Sequence, residues 1–252
     1  MSRFLLTILA ALLLSACAHN APRNPLATWV PSPNHDVRRP VLVVLHYTEQ
    51  DSAQRSLDTL RTGNSGGRVS AHYLIGQDGT RYQLVSDVHR AWHAGAGSWG
   101  AIGDVNSASI GIELDNDGRA PFAEPLVESL LVLLDDLVTR WRIPPENVIG
   151  HSDMAPARKI DPGVQFPWRR LAEHGYGLWP QDGTPPAPAD FDVVQALRVV
   201  GYPVDDVAAA TRAFRMRFRA QASGDLDDED RRILYALQRG WTIPARPEAR
   251  VR

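Results

Sequence analysis

Five apolar residues in unbroken succession, Val41-Leu42-Val43-Val44-Leu45, end at His46. A strand with one face in water alternates apolar and polar residues. An unbroken apolar run fits a buried strand in a sheet covered on both faces, as in α/β folds. The run leaves an imidazole at the C-terminal end of a strand, where such sheets commonly hold ligands. Residues 124–142 supply the strongest helix: Pro125 suits its first turn, and apolar residues cover much of its circumference, so it should be well buried.

The remaining elements follow from shorter signals. Residues 51–62 read as a helix stopped by Gly63. Residues 71–75 and 81–85 flank Gln77-Asp78-Gly79 as a hairpin. Ser109 to Leu114 reads as a strand with Ile110, Ile112 and Leu114 on one face and Gly111 and Glu113 on the other. Val148-Ile149 is a short strand leading into Gly150-His151. Residues 94–107 lack periodicity and mark a long functional loop, a candidate determinant of specificity. Residues 180–190 are a proline-rich linker, and three amphipathic helices are predicted beyond it, near 190–200, 206–219 and 227–239. The fold class is α/β: a mixed central sheet flanked by helices, followed by a small three-helix domain.

The 252 residues suffice for one large domain and a small module. A net charge of −2 and the absence of a long basic run argue against nucleic acid as a partner. The start reads as an export signal: Arg3, then an apolar stretch from Phe4 to Leu14 too short to span a bilayer comfortably. Leu14-Ser15-Ala16-Cys17 resembles the bacterial lipobox, whose cysteine is lipidated. Cys17 is the only cysteine, so no intramolecular disulfide is possible, and lipidation explains an unpaired thiol in an exported chain. Ala18 after it, by the same resemblance, favours the outer membrane, facing the periplasm. The expected organisation is a signal peptide at 1–16, a tether at 17–39, a catalytic domain at 40–179, the linker at 180–190, a helical domain at 191–240 and a tail at 241–252.

His46, His151 and Asp161 sit at the ends of predicted strands or in the loops after them. Two imidazoles and one carboxylate leave a fourth position open on tetrahedral zinc, which is the catalytic rather than the structural pattern. Spacing alone leaves His72 and His93 as alternative ligands. Glu113 on a central strand needs a partner, and a water held at a metal would be suitable; Glu113 would then take its proton; a structural salt bridge to a buried arginine is the plainer alternative. Lys159 is the only lysine among 27 Lys and Arg residues. A compact point charge suits one developing oxyanion better than a planar guanidinium does; a surface lysine beside a turn is the plainer alternative.

These residues lie in segments that resemble, in order, the zinc-dependent N-acetylmuramoyl-L-alanine amidases of the type-2 family: Val44-Leu45-His46-Tyr47-Thr48, Val69-Ser70-Ala71-His72-Tyr73, Ala91-Trp92-His93-Ala94-Gly95, Ser109 to Leu114, Gly150-His151-Ser152-Asp153 and Arg158 to Gly163. The resemblance implies His46, His151 and Asp161 as ligands of Zn2+, Glu113 as the residue that activates water, and Lys159 as the oxyanion stabiliser. It places Tyr47, His72, Trp92, His93 and Asn106 near the substrate groove or in its support. It implies hydrolysis of the amide between N-acetylmuramic acid and L-alanine in peptidoglycan or muropeptides. The C-terminal helices resemble a peptidoglycan-binding module, with a structural cap as the alternative. The expected protein is a monomer held to the membrane by its lipid. A recognition protein without turnover, and a zinc peptidase acting on stem peptides, are the competing expectations.

Overall fold

The computed structural model describes residues 23–37 and 40–243. Cys17, the predicted signal and most of the predicted tail lie outside the described residues.

Eight strands and eight α-helices occur among those residues. The strands are β1 (Thr28–Trp29), β2 (His35–Val37), β3 (Leu42–Tyr47), β4 (Tyr73–Ile75), β5 (Arg81–Gln83), β6 (His89–Ala91), β7 (Ser109–Leu114) and β8 (Val148–Gly150). The helices are α1 (Ala53–Thr62), α2 (Val105–Ala108), α3 (Glu124–Trp141), α4 (His151–Met154), α5 (Trp168–Glu173), α6 (Val193–Val200), α7 (Val207–Arg219) and α8 (Asp228–Gln238). Six strands form one sheet in the order β1-β5-β4-β7-β3-β8, while β2 and β6 pair separately. Only the β4–β5 hairpin is antiparallel in the large sheet.

The apolar run of β3 is covered on both faces, as its composition predicts. Val43 and Leu45 join Ile110, Ile112 and Leu114 of β7 against Leu126, Leu130, Leu134 and Leu137 of α3. Leu42 and Val44 join Ile149 on the opposite face, against Ala196, Tyr202, Phe214 and Leu234 of the C-terminal helical region. The helical region thus packs on the sheet, and one apolar core runs through both. Helix ends are local: Ser52 accepts from Arg55 N at the start of α1, and Gly63 closes it. Asp192, Asp206 and Asp227 cap α6, α7 and α8 in the same way.

Two segments depart from expectation. The second half of the predicted tether is part of the fold. Asn24 is buried and accepts Leu26 N on Oδ1, and its Nδ2 donates to Asp136. β1 pairs with β5, and Ser32 N donates to Leu84 O at 2.7 Å. The β1 and Ser32 contacts run through the backbone, so they leave no periodicity to read. The 94–107 loop also behaves differently: it braces the helical region. Gly100 N donates to Gly201 O at 2.8 Å, and Trp99 packs edge-on to Tyr202 at 5.2 Å. A Cβ at Gly201 would stand 2.6 Å from the Trp99 ring, and φ there is +128°, so this close approach needs glycine.

Candidate active site

Strand parity and register assemble the site. Leu42, Val44 and His46 alternate on one face of β3, and His46 lies in register with Glu113 on neighbouring β7. On the other side of β3, Leu45 pairs with Gly150 of β8, so His151 begins α4 one step beyond the sheet. Ser152 N donates to Asp161 O at 2.8 Å, which returns the 155–161 loop to the same edge.

His46 Nδ1, His151 Nδ1 and Asp161 Oδ2 form a triangle with edges of 2.9, 2.9 and 3.1 Å. The groups around them fix which ring nitrogens carry protons. His151 Nε2 lies 2.8 Å from Ala94 O. A carbonyl only accepts, so Nε2 carries the proton and Nδ1 presents a lone pair. His46 is fixed through a longer chain. Ser109 Oγ donates to Val105 O, which leaves Oγ to accept from His93 Nε2 at 3.2 Å. His93 Nδ1 then accepts from His46 Nε2 at 3.0 Å, and His46 Nδ1 is also a lone pair. Two lone pairs and a carboxylate oxygen thus converge without a proton to share, and all three residues are buried.

The electrostatics agree. Burial first, then the neighbouring His151, depress the His46 pKa to about 4, so His46 itself is neutral at neutral pH. Burial works against ionisation of Asp161, but His151 and then His46 hold its carboxyl far below the usual range. A divalent cation with affinity for imidazole and carboxylate would relieve the convergence, and outer hydrogen bonds that set ligand tautomers are typical of metal sites. The donor set therefore fits a metal. Among the described residues these three form the group whose candidate ligand atoms converge.

Glu113 stands beside the triangle. Its Oε2 is buried and lacks a hydrogen-bond partner. Burial, and then the Asp161 carboxylate, push its pKa well above the ordinary value, while the Lys159 charge pulls the other way. Such a carboxyl readily holds a proton. The half-buried Lys159 is near enough to influence both Glu113 and His46. Residues 158–161 form a turn and loop, and all four residues line the cavity, Lys159 and Asp161 among them.

The cavity over the site has a volume of about 350 Å³. Tyr47, Trp92 and His93 line it with the triangle, Glu113 and Lys159. Burial, then Asp161, raise the Tyr47 pKa to about 12, so its hydroxyl stays protonated. The Trp92 indole N–H is buried without an acceptor. His72 and Asn106 stand behind the cavity. Both ring nitrogens of His72 are engaged, by Gly111 N at 2.9 Å and His89 O at 3.0 Å. Asn106 Oδ1 accepts from His93 N and Ala94 N at 3.0 and 2.9 Å. No residue of the 94–107 loop is among those lining the cavity.

Sequence reasoning missed Arg158, whose Nη2 donates to Ala94 O and Ala96 O at 2.6 Å each. It also missed Ser109 as the end of the His46 chain. Neither carries a sequence signal beyond its place in a matching segment.

A mixed sheet with a buried His-His-Asp cluster and a buried glutamate oxygen without a partner beside it defines a hydrolase whose site is built to take a metal. Residues 36–164 match the N-acetylmuramoyl-L-alanine amidase family. N-acetylmuramoyl-L-alanine amidase AmiD of Escherichia coli K12 is 34% identical over 94% of this chain and 98% of its own. A solved structure of AmiD in complex with the substrate anhydro-N-acetylmuramic acid-L-Ala-D-gamma-Glu-L-Lys superposes with a TM-score of 0.68, at 35% identity over 81% of this chain and 91% of AmiD. The 1,6-anhydro-N-acetylmuramyl-L-alanine amidase AmpD of Enterobacter cloacae is 35% identical over 58% of this chain and 88% of its own. The chain belongs to the type-2 N-acetylmuramoyl-L-alanine amidase family.

Proposed function

We propose that this protein is a zinc-dependent amidase that cuts the bond between the lactyl group of N-acetylmuramic acid and L-alanine, in cell-wall peptidoglycan or in muropeptides derived from it. The observation that carries the metal reading is the convergence of His46 Nδ1, His151 Nδ1 and Asp161 Oδ2 with both tautomers fixed from outside. The AmiD complex supports a muropeptide as ligand.

His46, His151 and Asp161 would hold zinc, which supplies Lewis acidity toward the scissile carbonyl and a more acidic water. Glu113 accepts a proton from the attacking water as its oxygen bonds to the lactyl carbonyl carbon. As the C–N bond breaks, Glu113 returns that proton to the amine of L-alanine. Its raised pKa suits both halves of the exchange. Lys159 offsets the charge that develops on the carbonyl oxygen. Trp92, with an unsatisfied indole N–H, and Tyr47 contact the substrate along the cavity.

The proposed setting is the periplasm. Lipidation at Cys17 would tether the chain to the outer membrane, and the C-terminal helices would hold it on the wall polymer, raising the local substrate concentration. Fatty-acid labelling that disappears in Cys17→Ser tests the anchor.

The reaction is tested with protein beginning at Ala18, incubated with peptidoglycan and with soluble muropeptide, with a chelator and with zinc restored. Mass spectrometry should find stem peptides beginning at L-alanine, absent after chelation and recovered with zinc. Cleavage beyond L-alanine would establish a stem-peptide peptidase instead. Wall binding without any product would establish a recognition protein.

A further inference from the structure

We infer that the C-terminal helices also position the ligand residue His151, through a buried knot of Arg217, Asp153 and Tyr202. The inference rests on the reading of His151 as a metal ligand.

Asp153 is fully buried, two residues beyond His151 in α4. Its Oδ2 accepts Gly150 N at 2.8 Å and Arg217 Nη1 at 2.6 Å, and its Oδ1 accepts the Tyr202 hydroxyl at 2.7 Å. Arg217 and Tyr202 both come from beyond the proline-rich segment. Arg217 is itself buried, lies 4.1 Å over the Trp168 ring, and reaches Val148 O through Nη2 at 3.2 Å.

One guanidinium therefore ties the first residue of β8 to the third residue of α4. His151 sits inside the corner so closed. The corner has little slack: a Cβ at Gly150 would stand 2.8 Å from Pro162 Cδ, next to Asp161. Rotation of α4 about this corner would carry His151 Nδ1 away from Asp161 and His46. A buried carboxylate without its cation favours such movement, because it gains by reaching water. A planar fork is required to hold two acceptors on different elements at once. Arg217, Tyr202 and Asp153 are thus positioning residues, acting on the metal through His151.

The test measures the zinc dissociation constant of the full chain from Ala18, by competition with a chromogenic chelator. Arg217→Met should bind zinc about 10–100-fold more weakly, the range seen when outer partners of ligands are lost. Tyr202→Phe, which removes one hydrogen bond and little volume, should weaken binding several-fold. Arg217→Lys should fall between wild type and Arg217→Met, since an ammonium restores the charge on Asp153 but not the reach to Val148. Excess zinc should restore kcat on soluble muropeptide in all three. Wild-type zinc constants in Arg217→Met and Tyr202→Phe, whatever their melting temperatures, would overturn the inference. Should Arg217→Met fail to fold, Tyr202→Phe decides alone. Failure of wild type to bind zinc would instead overturn the metal reading on which this rests.

Discussion

Glu113 meets two opposed demands. As the proposed base it must lose a proton, yet its surroundings favour keeping one. The cost should show in stability. A carboxyl whose pKa is higher folded than unfolded binds more protons in the native state. Its stabilisation is therefore lost as pH rises from the unfolded value through the folded one. In metal-free protein, Glu113→Gln should raise the melting temperature at pH 8 and leave it unchanged at pH 4. The same variant should retain zinc and lose at least about 100-fold in kcat. Melting curves at the two pH values and a steady-state assay check both halves. Lys159 poses a question of shape rather than charge. Lys159→Arg keeps the cation, but a planar fork cannot present one compact charge; kcat on soluble muropeptide should fall about tenfold or more, with zinc affinity unchanged. Full retained activity would return the lone lysine to the surface. Both residues are legible in sequence, Glu113 because a carboxylate interrupts a strand and Lys159 because it stands alone. Their proximity to one another is not.

At the level of elements, β7 does more than its sequence suggests. Its alternation predicts which face Glu113 shares with Gly111, and the register with β3 agrees. It does not predict that the Gly111 face receives the His93 ring. A Cβ added at Gly111 would stand 2.4 Å from His93 Cγ, with β-sheet backbone on one side and the ring on the other. Gly111→Ala should therefore displace His93, free the His46 tautomer, and weaken zinc binding measurably by chelator competition. Wild-type affinity in that variant would show that the His93 chain does not set the ligand. Strands β3 and β7 and helix α3 are legible because burial imposes a period. β1 and β2 are not, since main-chain pairing with β5 and β6 supplies much of their attachment. The role of the 94–107 loop is hidden for the same reason: Ala94 O and Gly100 N act through the main chain.

For the whole molecule, the segment rich in proline separates two runs of sequence but not two cores. The predicted helical stretches coincide closely with α6, α7 and α8. Their apolar faces also cover Leu42, Val44 and Ile149. Deleting residues 180–252 would bare those side chains, at roughly 1.5–3 kcal/mol each, and would strand Asp153 without its cation. The truncated chain should aggregate, seen as a shifted elution volume and dye binding to exposed apolar surface. A soluble, active truncation would show that the sheet folds without this cover. Wall attachment is accordingly better measured on the intact chain, by pelleting Glu113→Gln with insoluble peptidoglycan. Composition marks the boundary; the contacts that erase it, such as Arg217 to Asp153, lie 64 residues apart in sequence.

The two histidines of the site differ in what their tautomers rest on. That of His151 rests on the carbonyl of Ala94, and a main-chain oxygen is present whatever side chain a codon specifies. That of His46 rests on His93 and Ser109, each of which a single nucleotide change can replace. Random drift would therefore strike the His46 side of the centre first. Inactive descendants of such a chain should carry their earliest lesions at His93 or Ser109, with His151 still properly oriented.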